Sequence, residues 1–225
     1  MKCASRNAEG FIIKVLSESP PNAFIESLHE TYDFEWVICD HYKGDLSILG
    51  RHQTKHNITF KLWNIYKNPN PFIFIDIDAF VLKDLNEIWK HKDDKPFIGI
   101  NHQSIPRHTA NEPEPFLNSG VLIISDPSFI KYEEIITNYR GMMCKGFDQA
   151  LLFSHFKQVG YNYTHPEIGS EWNSCAGYTQ LTKTECGWKG HTVLPLPPHS
   201  VYINHYWDEF KPWALKCPLF SETWN

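Results

Sequence analysis

The sequence lacks a long apolar run, a close pair of cysteines and an excess of positive charge. No apolar stretch reaches the roughly 18 to 20 residues that a membrane-spanning helix needs, and residues 1–10 lack the apolar centre of a signal peptide. The formal net charge of -5 disfavours a general binder of nucleic acid or of anionic membranes. We therefore expect a soluble, cytoplasmic protein without nucleic-acid partners.

The six cysteines are widely scattered, and none forms a CxxC pair. This spacing favours reduced thiols over a zinc site or a disulfide framework, although Cys175 and Cys186 could pair in an oxidising compartment. The apolar share of 42% and the charged share of 21% are typical of an ordinary globular protein. With 225 residues, the chain is expected to form one domain over 1–225, because two separate cores would each be small.

Short apolar runs alternate with helical patterns along the chain. The runs predict strands at 11–16, 36–39, 72–75, 97–100, 121–125 and 192–196, most of them buried on both faces. Apolar residues at helical spacing predict helices over 58–66 and 129–139, and a third helix follows Asp148. The alternation predicts an α/β fold with a mostly parallel mixed central sheet flanked by helices, in which ligands bind at the carboxyl ends of the strands.

Two aspartates, Asp76 and Asp78, follow the strand predicted at 72–75. Residues two apart in a strand point to the same face, so these carboxylates should converge. Like charges this close repel each other, which favours a neutralising cation. Taken alone, the pair is more often a solvated strand end than a metal site.

Three further segments carry polar residues next to apolar runs. Asn118, Ser119 and Gly120 precede the strand predicted at 121–125, where a residue without Cβ lets a ligand approach the backbone. Asp148 and Gln149 begin a predicted helix, and His205 and Lys211 lie near the end of the chain. Each segment also has a plain structural interpretation as a turn, a helix cap or a surface side chain.

Together these segments resemble glycosyltransferase family 8, the glycogenin-like and galactosyltransferase-like enzymes with the GT-A fold. The matching blocks are IDIDAFV, FLNSGVLII, DQ and H-x-x-x-x-x-K-P-W, and they run from Phe72 to Trp213 in the order of that family. The resemblance implies a single GT-A-type domain. It also implies a retaining transferase that moves a hexose-type sugar from a nucleotide diphosphate sugar, usually a UDP-sugar, to an acceptor hydroxyl.

The resemblance implies a divalent ion, usually Mn²⁺ and alternatively Mg²⁺, bound by Asp76, Asp78 and His205. Carboxylate and diphosphate oxygens with one imidazole nitrogen suit both ions, and the nitrogen favours Mn²⁺. Lys211 would stabilise the negative charge of the departing diphosphate.

The remaining roles implied by the resemblance concern the sugar and the nucleotide. Asp148 and Gln149 would lie beside the anomeric carbon, with Asp148 acting either as a nucleophile or by guiding front-face attack. The residues expected to bind substrate are Asn118, Ser119, Gly120, Lys61, Asp40 and Trp213.

Two other function classes fit part of the pattern. Haloacid-dehalogenase-like phosphatases also place D-x-D after an apolar strand, with an aspartate nucleophile and Mg²⁺. A module that binds a nucleotide sugar without turnover is the third hypothesis. Hydrolysis of a generic phosphate monoester indicates the phosphatase, and binding of a nucleotide sugar without transfer or hydrolysis indicates the module.

Overall fold

The computed structural model describes residues 6–46, 56–101, 117–139, 147–176, 180–184, 187–191 and 201–206. These residues form mixed α/β structure, which confirms the predicted class. They fall into two compact units. The first contains the described residues up to 74, 84–98 and 123–163, and the second contains those in 75–83, 99–122 and from 164 onward. The single domain over 1–225 stays a prediction.

The predicted strands at 72–75 and 97–100 are present with nearly the predicted bounds, whereas the one at 192–196 lies outside the described residues. In chain order, the described strands are β1 (Lys14–Ser17), β2 (Glu35–Ile38), β3 (Phe72–Ile75), β4 (Ala79–Val81), β5 (Phe97–Asn101), β6 (Leu117–Ile124), β7 (Ser174–Ala176), β8 (Gln180–Thr184), β9 (Gly187–His191) and β10 (Ile203–Tyr206).

The helices predicted over 58–66 and after Asp148 are present, whereas the region 129–139 is α-helical only over Tyr132–Asn138, after a short 3-10 turn at Pro127–Phe129. The described α-helices are α1 (Ala23–Leu28), α2 (Trp63–Lys67), α3 (Asn86–Trp89), α4 (Tyr132–Asn138) and α5 (Phe147–Gln158). A π-helical segment, Asn57–Leu62, leads directly into α2. None of the described helices combines the length and the apolar character that crossing a membrane requires.

The described strands pair in small sheets rather than in the one central sheet that the sequence predicts. Their orders are β1-β2, β3-β6-β5, β4-β10-β7 and β8-β9. The β1-β2 and β7-β10 pairs are parallel, whereas β4-β10 and β8-β9 are antiparallel. Burial on both faces holds for β5 and β6. It does not hold for β1 and β2, where exposed Lys14 and Glu35 lie opposite each other and form an ion pair of 2.9 Å.

The core of the first unit forms around the π-helical segment. Ile58, Leu62 and Ile65 are each 1% exposed, as their helical spacing predicts. The ring of the fully buried Tyr132 of α4 contacts the ring of Trp63, and its hydroxyl donates a hydrogen bond of 2.9 Å to the carbonyl oxygen of Ile58. Unusually wide helical turns of this kind are frequent at functional sites.

Strand β6 begins four residues earlier than the sequence predicts. Asn118, Ser119 and Gly120 lie within the strand and are buried, rather than forming a turn before it. Polar residues are tolerated there because the side chain of Asn118 bonds locally, with its Oδ1 accepting from the Gly120 N–H at 2.7 Å. The pattern of polar residues resembles a turn, and the local hydrogen bond satisfies the Asn118 side chain inside a buried strand.

A buried histidine in α5 should make the stability of the chain depend on pH. Burial lowers the pKa of His155 below its ordinary value, although the charge of Glu134 partly opposes this shift. As pH falls below about 6.5, the unfolded chain binds a proton that the folded chain takes up only at lower pH, so the free energy of unfolding decreases. We expect His155→Gln to weaken this acid destabilisation, measured as melting temperature against pH.

Glu134→Gln is the matched variant, because it removes the carboxylate that favours the charged imidazole. It should make the loss of stability between about pH 7 and pH 5 steeper. A His155→Gln curve parallel to that of the wild type would contradict the assignment.

Candidate metal centre

Three predicted metal ligands, Asp76, Asp78 and His205, lie together in the second unit. The Nε2 of His205 is 3.2 Å from the Oδ1 of Asp78 and 3.8 Å from the Oδ2 of Asp76. One ligand atom from each residue lies within 4.8 Å of the other two. Asp78 and His205 are each 5% exposed, whereas the side chain of Asp76 is 26% exposed, so the group is reachable from solvent on the side of Asp76.

The two aspartates converge through a turn rather than through strand alternation. Strand β3 ends at Ile75, and the N–H of Ala79 donates to the carbonyl oxygen of Asp76 at 3.0 Å. The N–H of Asp76 donates to the carbonyl oxygen of Gly120 at 2.8 Å, which fixes the start of the turn. Ile77 at the tip is 86% exposed. The D-x-D spacing predicted that the two carboxylates lie close together. The cause is the turn after β3, and not the alternation of side chains along a strand.

Strand pairing brings His205 to this turn. Strand β10 lies between β4 and β7, and His205 pairs with Ala79 of β4 and with Cys175 of β7. The residue before β4 is Asp78, and the residue two positions before Cys175 is Asn173. Two segments that are distant in sequence from β10 therefore place Asp78 and Asn173 beside one imidazole.

Asn173 orients the His205 ring. Its Oδ1 lies 3.0 Å from the Nδ1 of His205, and its Nδ2 makes a long contact of 3.5 Å with the carbonyl oxygen of Asn118. An amide oxygen only accepts, so the Nδ1 of His205 donates to it. The Nε2 faces the two carboxylates, where a bound cation would take the place of a proton. Metal-binding histidines in proteins are oriented in this way.

Gly120 leaves the space that the His205 ring occupies. A Cβ at this position would overlap the Nδ1 and Cε1 atoms of the ring, and would lie 3.0 Å from the Oδ1 of Asn118. The sequence analysis assigned the missing Cβ to the approach of a ligand. The structure places the imidazole in that space.

The donor set fits a hard or borderline divalent cation. Two carboxylates and one imidazole, with the imidazole held by a neutral amide, form a mixed oxygen and nitrogen set that suits Mn²⁺ and accepts Mg²⁺. The same groups neutralise each other only in part, because one imidazole faces two carboxylates.

In the first unit, Lys61 and Asp148 form a buried ion pair. The Nζ of Lys61 is 3.2 Å from the Oδ2 of Asp148, and the side chains are 12% and 3% exposed. The same ammonium lies 4.9 Å from the centre of the Phe74 ring. Lys61 projects from the π-helical segment and Asp148 from the first turn of α5. The structure thus pairs a predicted donor-binding residue with a predicted catalytic residue.

Removing the cation of this pair should destabilise the fold. Lys61→Met leaves the Asp148 carboxylate buried without its ammonium, and we expect a loss of about 3 to 5 kcal/mol in the free energy of unfolding by chemical denaturation. Asp148→Asn in the same chain should recover part of the loss. Lys14→Met breaks the exposed pair with Glu35 and should cost at most about 1 kcal/mol. Equal costs at both positions would refute the buried character of the Lys61 pair.

Gln149 and Asp40 occupy different environments. The Oε1 of Gln149 is buried and has no hydrogen-bond partner among the described residues. Asp40 lies two residues past the end of β2 and is exposed, and its carbonyl oxygen accepts from the side chain of Asn64 at 3.0 Å. Lys211 and Trp213 lie outside the described residues.

Asn173 was missed from the sequence, because nothing local in the segment SEWNS distinguishes it from a loop residue. Its position becomes apparent only from the pairing of β7 with β10. No protein-family model matches this sequence, and no curated protein matches it.

Proposed function

We propose that the protein is a metal-dependent retaining glycosyltransferase with a GT-A-type fold. It would transfer a hexose-type sugar from a nucleotide diphosphate sugar, of which a UDP-sugar is the first candidate, to an acceptor hydroxyl. The observation that carries the proposal is the grouping of Asp76, Asp78 and His205, with the His205 ring oriented by Asn173. The motif order of the chain supports the same function.

Asp76, Asp78 and His205 would hold Mn²⁺ or Mg²⁺. When bound, the cation offsets the negative charge that develops on the departing diphosphate. Around it, the chain orients the His205 ring, because its Nδ1 donates to Asn173 and its Nε2 faces the two aspartates. Lys211 is proposed as a second positive charge for the same leaving group.

Asp148 and Gln149 are proposed to contact the transferred sugar. The Oε1 of Gln149 suits this role, because this buried acceptor has no partner within the described part of the chain and gains a hydrogen bond when a sugar hydroxyl donates to it. The carboxylate of Asp148 is held in place by the ammonium of Lys61. Asn118, Ser119, Gly120, Lys61, Asp40 and Trp213 complete the proposed substrate-binding set, and a cytoplasmic location remains part of the proposal.

The test is a panel of nucleotide sugars, each measured with Mn²⁺, with Mg²⁺ and with a chelator. We expect slow hydrolysis of one donor, and faster consumption when its acceptor is present, in the metal-containing samples only. A generic phosphate monoester should remain intact. Its hydrolysis would instead favour the phosphatase, and donor binding without turnover over a broad acceptor panel would favour the non-catalytic module.

Asn173→Ala should weaken metal binding without removing a ligand. The His205 ring loses the acceptor that fixes its tautomer, and loss of such a partner typically costs about tenfold to a hundredfold in metal affinity. Isothermal titration with Mn²⁺ measures the effect. Asn173→Asp keeps an acceptor for the Nδ1 proton, so it should bind Mn²⁺ more tightly than Asn173→Ala. The reverse order would contradict the orienting role.

A further inference from the structure

A second group of metal-ligating side chains lies in the first unit and takes no part in the proposed transferase site. It consists of Glu18, His41 and His56, and we call it the imidazole cluster. Glu18 directly follows β1, His41 follows β2 by three residues, and His56 directly precedes the π-helical segment. Since β1 and β2 are parallel with Ser17 opposite Ile38, their carboxyl ends lie at the same edge of the sheet.

One carboxylate oxygen serves both imidazoles. The Oε1 of Glu18 is 3.1 Å from the Nε2 of His41 and makes a very short contact with the Nε2 of His56. The three ligand atoms all lie within 4.8 Å of one another. Ligands at about 2.0 to 2.2 Å from a tetrahedral Zn²⁺ are about 3.4 Å apart, so small adjustments of exposed side chains bring these atoms to binding distance.

Two buried residues, Thr59 and Phe60, contact the imidazole rings. The Nδ1 of His41 lies 2.9 Å from the Oγ1 of Thr59, which is 8% exposed. A hydroxyl oxygen can accept the Nδ1 proton, so Thr59 orients the His41 ring with its Nε2 facing Glu18. The ring of Phe60, also 8% exposed, packs against both imidazoles, with centroid distances of 5.2 Å to each.

The imidazole cluster is open to solvent. The side chains of Glu18, His41 and His56 are 45%, 38% and 58% exposed, so an ion reaches them directly from solvent.

We propose that Glu18, His41 and His56 form a second metal site, which binds a borderline cation of the Zn²⁺ class and leaves the fourth position to water. Two imidazole nitrogens and one oxygen favour Zn²⁺, whereas the oxygen-rich group of Asp76, Asp78 and His205 suits Mn²⁺ or Mg²⁺. The two sites would thus select different metals in one chain. Bound Zn²⁺ joins the ends of β1 and β2 to the π-helical segment and stabilises the folded chain. This site does not depend on the proposed transferase activity.

The test uses the full chain carrying Asp78→Asn, so that the other site is weakened. We expect Zn²⁺ to bind with one equivalent by isothermal titration and to raise the melting temperature, and Co²⁺ to give the visible absorption of a four-coordinate site. His41→Ala and His56→Ala should each weaken Zn²⁺ binding by about a hundredfold or more, and Thr59→Val by about tenfold. His29→Gln is the matched control, because this exposed histidine stacks on Phe34 and belongs to no such group among the described residues.

Two results would overturn the proposal. The first is Zn²⁺ binding that is unchanged in His41→Ala and His56→Ala. The second is Mn²⁺ binding as tight as Zn²⁺ binding in the same background. If an alanine variant unfolds, Glu18→Gln keeps the size of the side chain and removes the charged ligand, and it should weaken Zn²⁺ binding equally.

Discussion

Asp78→Asn is expected to lower Mn²⁺-dependent turnover of the nucleotide sugar by about a hundredfold to a thousandfold, because loss of one preorganised charge stabiliser has this effect on catalysis. Asparagine has nearly the same shape, and its amide still reaches the Nε2 of His205, which lies 3.2 Å from the Asp78 carboxylate. What changes is the negative charge that holds the cation. The melting temperature without metal should therefore change little, whereas stabilisation by Mn²⁺ should be lost.

The comparison that isolates this effect is Asp33→Asn, which removes an exposed carboxylate far along the chain from Asp76, Asp78 and His205. It should leave turnover and Mn²⁺ binding unchanged. Wild-type turnover in Asp78→Asn at the same Mn²⁺ concentration would exclude Asp78 as a metal ligand, and with it the central assignment of the proposed function.

Local patterns in the sequence were sufficient for the strands and helices that lie in well-bounded apolar runs. Strand β3 matches its prediction because Pro71 and Asp76 delimit it, and β5 is similarly enclosed by Pro96 and by polar residues after Asn101. The spacing of Ile58, Leu62 and Ile65 predicted a buried face, and all three are buried. In each case one short segment carries the whole signal.

Residues that depend on pairing between distant segments were not accessible in this way. Asn173 reaches His205 only because β7 and β10 are neighbours, and 32 positions separate the two residues in the chain. Lys61 meets Asp148 because α5 packs against the π-helical segment. The sequence analysis named Lys61 and Asp148 separately as candidate site residues, but no feature of the sequence indicated that they form an ion pair. Long-range pairing of this kind is decided by packing, which no local pattern records.

The imidazole cluster illustrates the same limit for function. Glu18, His41 and His56 fit no short metal motif, since their spacing of 23 and 15 residues follows from the lengths of the connections and not from a repeat. Only the parallel pairing of β1 with β2 shows that the first two ligands belong to one edge. In a chain with many histidines, the strand topology must therefore be known before a particular histidine can be identified as a metal ligand.

Gly120→Ala should be the most damaging small substitution near the candidate metal centre. The added methyl group would occupy the position of the His205 ring, so the ring must leave the place from which its Nε2 faces Asp76 and Asp78. We expect Mn²⁺ affinity to fall by about a hundredfold or more, comparable with the loss of an orienting residue or greater. Overpacking of this kind should also lower the free energy of unfolding by about 1 to 3 kcal/mol.

A double-mutant cycle with His205→Ala separates the clash from a general effect on β6. If the ring is the obstacle, Gly120→Ala should cost clearly less stability in the His205→Ala background, with a coupling energy of about 0.5 kcal/mol or more. Mn²⁺ affinity should then be low in both His205→Ala chains, since the ligand itself is missing. Additive effects on stability would show that the methyl group is accommodated without displacing the imidazole. The orientation of His205 by its surroundings would then lose its main physical support, because the space beside Gly120 is where the ring is held.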